Sequence, residues 1–193
     1  MKDAVIIKKA VQSLRSGGVI GYPTDTTYGI GCVVSNLDAV DKVFELKGRD
    51  FSKPMSLAFS SVEMIKKYVK LPEEYEKILR KYLPGPYTFL LPKNDLVSEK
   101  ITAGFGKVGV RIPKYDLIIK IIEELGEPII TTSANISGDP DIVRSDDLKL
   151  LVDFIVSGDC TIKIPSTLID LETKSILRKG ASLDTAKEII AGI

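Results

Sequence analysis

The chain has 193 residues, 44% of them hydrophobic, with 27 Lys and Arg against 26 Asp and Glu and no histidine. Lacking histidine, it cannot assemble Ser-His-Asp or Cys-His hydrolase sites or His-based metal centres. A net charge of +1 exerts no global pull on nucleic acid, and the length suits one domain over residues 1–193 with a real core.

Asp3 to Arg15 has apolar residues at helical spacing and stops at Gly17-Gly18. The mixed charges of Met1 to Leu14 make this an amphipathic helix, unlike a signal peptide. No apolar run approaches the ~18 residues a membrane helix needs, so a cytoplasmic location without membrane contact is expected. Val19 to Tyr22 is a short buried strand, and Asn36 caps a helix from Leu37 to Lys47 closed by Gly48. Cys32 and Cys160 have no CxxC or histidine companion and read as two buried reduced thiols. Met55 to Phe59 is a strand, Ser60 or Ser61 caps a following helix, and Pro72 opens another through Tyr82. Pro84-Gly85-Pro86 breaks it before a strand from Tyr87 to Leu91.

Val108 to Ile112 is the next strand, Tyr115 to Leu125 a helix ended by Gly126, and Pro128 to Thr132 a strand. A polar loop from Ser133 to Arg144 precedes a short helix capped by Ser145. Phe154 to Val156, Thr167 to Leu171 and Ser175 to Leu177 follow as strands, and Asp184 to Ala191 as a closing helix. The alternation specifies an α/β fold with a central twisted sheet, and the hairpin-like spacing near residues 167 to 178 makes that sheet mixed.

Four polar segments fall at strand ends or loops, where α/β proteins bind ligands. Residues 22 to 31, Tyr-Pro-Thr-Asp-Thr-Thr-Tyr-Gly-Ile-Gly, are either a turn whose hydroxyls satisfy their own backbone or part of a site. Lys47, Arg49 and Lys53 place three cations within seven residues, bracketed by Gly48 and Pro54. They can serve the helix dipole or converge on one anion, a point-charge Lys beside a forked Arg being a good phosphate grip. Ser133 and Asn135 offer a hydroxyl and an amide at a strand end. Arg111 sits in an apolar strand, where burial without an anionic partner would be costly. Ser166-Thr167 and Arg178 add hydroxyls and another strand-end cation. No GxxxxGK[ST] or strand-linked GxGxxG is present. Residue types and spacing thus reach an α/β domain with a basic, hydroxyl-lined anion site.

In this order, PTDTTYGIG, KGR followed by KP, PGPYTF, RIP, TSANISG, PST and LRKG span residues 23 to 180. The series closely resembles the YrdC/Sua5 family of threonylcarbamoyl-AMP synthases. The resemblance implies a YrdC-like twisted, largely mixed sheet with flanking helices and a basic concave cavity. It also implies formation of threonylcarbamoyl-AMP and pyrophosphate from ATP, L-threonine and bicarbonate, the first step of tRNA t6A synthesis. Lys47 and Arg49 fall on the family's KxR pair, and Ser133 and Asn135 on its SxN pair. The four would hold the ATP phosphates, Lys47 and Arg49 catalytically, with help from Lys53 and Arg178. Thr26, Arg111, Thr131 and Ser166 match positions around threonine, Arg111 as a clamp for its α-carboxylate.

The resemblance further implies Mg2+ carried by the ATP phosphates rather than by side chains, and a separate transferase that passes the threonylcarbamoyl group to tRNA. Some departures stand out. Asp25 replaces the commoner Glu, altering a cap or metal contact, and Ala58 stands where many longer members have histidine. Asp139-Pro140-Asp141 lacks a serine often found there, which removes a nucleotide contact. The chain stops soon after Arg178, as expected of a short form without an extra C-terminal domain. The alternatives are a divergent YciO-type paralogue, against which the intact KxR and SxN pairs argue, and an RNA-binding module with weak RNA affinity.

Overall fold

The computed structural model describes residues 2–193, and Met1 of the expected amphipathic segment lies outside them. In chain order the strands are β1 Ile20–Tyr22, β2 Gly29–Gly31, β3 Ser56–Ala58, β4 Tyr87–Pro92, β5 Lys107–Arg111, β6 Ile129–Ser133, β7 Phe154–Ile155, β8 Thr167–Asp170 and β9 Ser175–Arg178. The helices are α1 Lys2–Arg15, α2 Leu37–Lys47, α3 Val62–Ile65, α4 Glu73–Tyr82, α5 Glu99–Thr102, α6 Asp116–Leu125 and α7 Leu183–Ala191.

The strands form one sheet in the order β7-β1-β2-β6-β3-β5-β4-β8-β9. The sheet is mixed, with β1–β7, β3–β5 and β4–β8 parallel and the remaining neighbours antiparallel. Its register aligns Ile130, Leu57, Val110, Phe89 and Ile169 in one row across β6, β3, β5, β4 and β8. All five are fully buried in the larger core, under residues such as Val43 and Phe44 of α2 and Leu79 of α4. Each contributes about 2 kcal/mol by leaving water.

Because side chains alternate along a strand, the adjacent row faces the other way. That row is Thr131, Ser56, Gly109, Leu90 and Asp170. On this second face α1 and α6 pack together, burying Ala10, Val11, Leu14, Ile118, Ile121 and Ile122 with Ile20, Tyr22 and Ile129. Thr131, Ser56, Gly109 and Leu90 instead floor an open cavity.

The structure departs from the sequence expectations in four places. Gly29–Gly31 is a strand rather than part of a loop, paired with both β1 and β6. Glycines disfavour strands, but the Tyr22 ring lies against both of them, and the Ile130 carbonyl occupies the space that a Cβ on Gly31 would need. The turn at Ser145–Asp147 is a single 3-10 turn preceded by Arg144, not a helix capped by Ser145. Glu99–Thr102 forms an additional helical turn, and Pro72 sits just outside α4. Asn36 caps α2 as expected, its side chain accepting from Ala39 N, and both cysteines are buried and free.

The contact at Gly31 sets a stability test. Gly31→Ala must displace the β6 backbone, and overpacking of this kind costs about 1–3 kcal/mol. A thermal melt of the variant is expected to fall by about 2–12 °C. An unchanged midpoint would show that β2 and β6 have room to separate.

Candidate functional site

The open face holds a cavity of about 1060 Å³. That is at the upper end of the ~300–1,000 Å³ typical of ligand pockets, and leaves room for more than one small ligand.

One wall comes from the end of α2. Gly48 takes a left-handed conformation (φ 53°), its N–H donating to Glu45 O while Arg49 N donates to Phe44 O. This helix-ending turn sends Lys47 and Arg49 in different directions. Lys47 is 1% exposed, and its ammonium donates to Ser133 O, to Asn135 O at 2.7 Å and to Asn135 Oδ1 at 3.2 Å. Its three protons are thereby spent on the loop after β6, and it does not line the cavity. Burial, with a smaller contribution from Arg49, pulls its pKa down to about 8, partly opposed by Asp141.

Arg49 lines the cavity, with Nε and Nη2 donating to the carbonyls of Lys53 and Pro54. These bonds fold the exposed 50–54 loop back on itself and carry Lys53 to the cavity as well. Ser133 reaches the cavity and donates from its hydroxyl to Asn135 Oδ1, whereas Asn135 points into its own loop, its Nδ2 donating to Asp139 O.

The opposite wall is the turn between β1 and β2. Thr24 Oγ1 accepts from Thr26 N at 3.0 Å and donates to Thr27 O at 2.7 Å, so this turn does satisfy its own backbone. It is also part of the site, because Thr24 and Thr27 line the cavity. Thr26 does not, but its Oγ1 accepts from Arg111 Nη2 at 3.0 Å. The same Nη2 lies 2.8 Å from Asp25 Oδ1 in a buried ion pair. Arg111, which does line the cavity, therefore has the anionic partner that its burial required. Asp25, which stands where Glu is commoner, is the carboxylate of that ion pair.

On β8 and β9, Arg178 donates from Nε to Ser166 O at 3.1 Å and from Nη2 to Ser166 Oγ at 2.9 Å. Ser166 Oγ also meets Thr88 Oγ1 at 2.8 Å, and all three residues line the cavity. Burial first, then the positive fields of Arg111 and Arg49, hold Arg178 below the usual arginine value, with Asp141 opposing. Thr167 points away and bonds Ala181 O at 2.7 Å.

Of the residues singled out from sequence, Arg49, Lys53, Ser133, Arg178, Arg111, Thr131 and Ser166 meet in this one cavity. Lys47, Asn135 and Thr26 stand behind it, each bonded to a residue that lines it. Sequence reading missed Ser56, Thr88, Lys107 and Glu172. Strand alternation carried the signal for two of them, since Thr88 and Lys107 interleave with the buried Phe89 and Val108. Asp141 lines the cavity where a serine contact was expected to be missing. Ala58 is fully buried in the α1–α6 cluster and presents no polar group.

The family model Sua5_yciO_yrdC, described as "Telomere recombination", matches residues 12–180. The chain belongs to the Sua5/YciO/YrdC family. A threonylcarbamoyl-AMP synthase of Vibrio campbellii is 31% identical over 90% of this chain and 98% of its own length. One from Pyrococcus abyssi is 35% identical over 97% of this chain, which spans 58% of that relative. The crystal structure of P. abyssi Sua5 complexed with L-threonine superposes with a TM-score of 0.91 at 34% identity, over 97% of this chain and 58% of that one. Escherichia coli YciO superposes with a TM-score of 0.82 at 26% identity, over 92% of this chain and 90% of that one.

Lys47 makes a pH-dependent prediction within this family site. The unfolded chain keeps the Lys47 proton to about 10.5, whereas the folded protein releases it near 8. Below pH 8 the cost of burying the ammonium is fully present; between 8 and 10.5 the unfolded state binds more protons, so stability rises with pH. Relative to Lys47→Met, the wild type should gain stability between pH 7 and pH 9.5 in urea unfolding. A difference that stays constant would contradict the buried-ammonium description.

Proposed function

We propose that this chain is a threonylcarbamoyl-AMP synthase acting on ATP, L-threonine and bicarbonate. One observation carries the reading: a single cavity presents two kinds of cationic group. Arg49, Lys53 and Arg178 line it without any carboxylate within 4 Å among the described residues, and Arg111 lines it paired to Asp25. The first set suits a polyphosphate and the second an amino-acid carboxylate. Relatives of the family carry this activity in their names over nearly their full length, and a solved relative is complexed with L-threonine.

In this reading the threonine α-amine, whose reference pKa is about 8, supplies a neutral fraction near pH 7. Bicarbonate takes up a proton and loses water to give CO2; the amine adds to that CO2 and loses a proton, giving a carbamate. A carbamate oxygen attacks the α-phosphorus of ATP, the Pα–O bond to the β-phosphate breaks, and pyrophosphate leaves. Negative charge accumulates on the phosphoryl and leaving oxygens, where Arg49, Lys53 and Arg178 oppose it without reorganising. Ser133 and the backbone behind it are held by Lys47, so the tetrad divides into direct contacts (Arg49, Ser133) and supports (Lys47, Asn135). Arg111 takes the threonine carboxylate through Nη1, which donates to no protein group among the described residues. Thr131 and Ser166 flank it.

No group of three or more Asp, Glu, Cys or His able to hold a metal occurs among the described residues. In this proposal Mg2+ enters with the nucleotide, with Asp141 the carboxylate on the Lys47–Arg178 side of the cavity, and it would neutralise the leaving pyrophosphate. Among the described residues no helix is long and apolar enough to cross a membrane. A cytoplasmic role upstream of a threonylcarbamoyl transferase for tRNA completes the reading.

Pyrophosphate release with ATP, Mg2+ and bicarbonate is expected to require L-threonine. Arg49→Ala should lower the rate by about 100-fold or more, with an unchanged melting temperature because the 50–54 loop is exposed. Release that ignores threonine would overturn the assignment and favour a divergent YciO-type activity, and full activity in Arg49→Ala would remove that residue from the site.

A further inference from the structure

Five cations line the cavity, and they differ in how they are balanced. Lys107 is paired with Asp170 at 2.9 Å and Glu172 at 2.6 Å. Arg49, Lys53 and Arg178 have no carboxylate within 4 Å among the described residues. Arg111 is the most deeply buried of the five, 8% exposed in its side chain, and is paired with Asp25, 4% exposed. A buried cation is screened least and attracts most strongly. Left alone, Arg111 would bind a polyphosphate of several negative charges in preference to an amino-acid carboxylate of one.

We propose that Asp25 determines specificity: by cancelling the charge of Arg111 it keeps the nucleotide's polyphosphate out of the amino-acid subsite. The inference rests on the reading of Arg111 as the partner of the amino-acid carboxylate. Asp25 is built to hold its place. Its carbonyl accepts from Ile162 N at 2.8 Å and from Thr161 Oγ1 at 3.1 Å, and Thr26 beside it holds the same Arg111 nitrogen. Its Oδ2 is buried with no protein donor, and Arg111 is its one ion-pair partner among the described residues. What remains of Arg111 is a donor whose charge is balanced: Nη1, which donates to no protein group among the described residues, can still donate to a carboxylate oxygen. A zwitterionic amino acid needs only such a donor, whereas a polyphosphate needs charge and finds it at Arg49, Lys53 and Arg178.

The test is calorimetric titration with inorganic pyrophosphate, with and without saturating L-threonine. In the wild type, pyrophosphate affinity should be unchanged by threonine. Asp25→Asn keeps an oxygen beside Arg111 but removes the charge. It should bind pyrophosphate at least about tenfold more tightly, and threonine should compete for that gain. Asp25→Glu should behave as the wild type. Unaltered pyrophosphate affinity in Asp25→Asn, or a gain that threonine does not oppose, would overturn the proposal.

Asp25→Asn leaves a buried unpaired cation, which can cost the fold. The double variant Asp25→Asn/Arg111→Gln removes both charges and keeps the test decisive. Wild-type pyrophosphate affinity is expected there, and a tenfold loss would show that Arg111 already belongs to the phosphate subsite. A wild type that does not bind threonine at all would instead defeat the functional reading, while the pyrophosphate comparison between wild type and variants would still report on Asp25.

Discussion

The register of five central strands is the constraint on which the rest of this molecule depends. Side chains alternate with period two, so pairing Ile130, Leu57, Val110, Phe89 and Ile169 in one buried row forces Thr131, Ser56, Gly109, Leu90 and Asp170 onto the opposite face. The first row fills the core beneath α2 and α4. The second contains small and polar groups, and α1 with α6 covers only the neighbouring end of that face. A cavity follows because the floor is low and nothing packs on it. A slip of one residue would bury the polar row and expose the apolar one, so site and core are specified by the same pairing.

Two buried cations then connect this floor to its walls, and neither is tolerable without its partners. Lys47 joins the end of α2 to the loop after β6 through two carbonyls and an amide oxygen. Arg111 joins the end of β5 to the turn after β1 through Asp25 and Thr26. Unpaired, either charge would be expensive to bury. Paired, they fix the loops that present Ser133, Thr24 and Thr27 to the cavity. The cations left unbalanced, Arg49, Lys53 and Arg178, are closer to solvent, where an unpaired charge is affordable and can be offered to a ligand.

Most elements were legible in the sequence because their signals are local: Asn36 and Gly48 bound α2, and Gly126 ends α6 with a left-handed residue at φ 85°. What was hidden is non-local. Gly29–Gly31 reads as loop because its strand character comes from the Tyr22 ring and the Ile130 carbonyl, distant partners that composition does not reveal. The same holds for Asp25, whose role depends on an arginine 86 positions away. The motifs located the cavity, since seven of ten candidate residues line it. They could not say which touch a ligand and which stand behind: Lys47 and Arg49 are two residues apart, yet the turn at Gly48 sends only Arg49 to the surface of the cavity.

Histidine-based catalysis is closed to this chain, and opposing the charge that develops on phosphoryl oxygens needs none. In the proposed chemistry the amino acid brings its own nucleophile, a carbamate, and the protein contributes position and field. The most direct measurement follows the carbon atom. With ATP, Mg2+, L-threonine and [13C]bicarbonate, the account expects a mixed anhydride of AMP that carries both threonine and the labelled carbon in its mass spectrum. An adenylate of threonine without that carbon, or AMP formed with no labelled adduct, would contradict it.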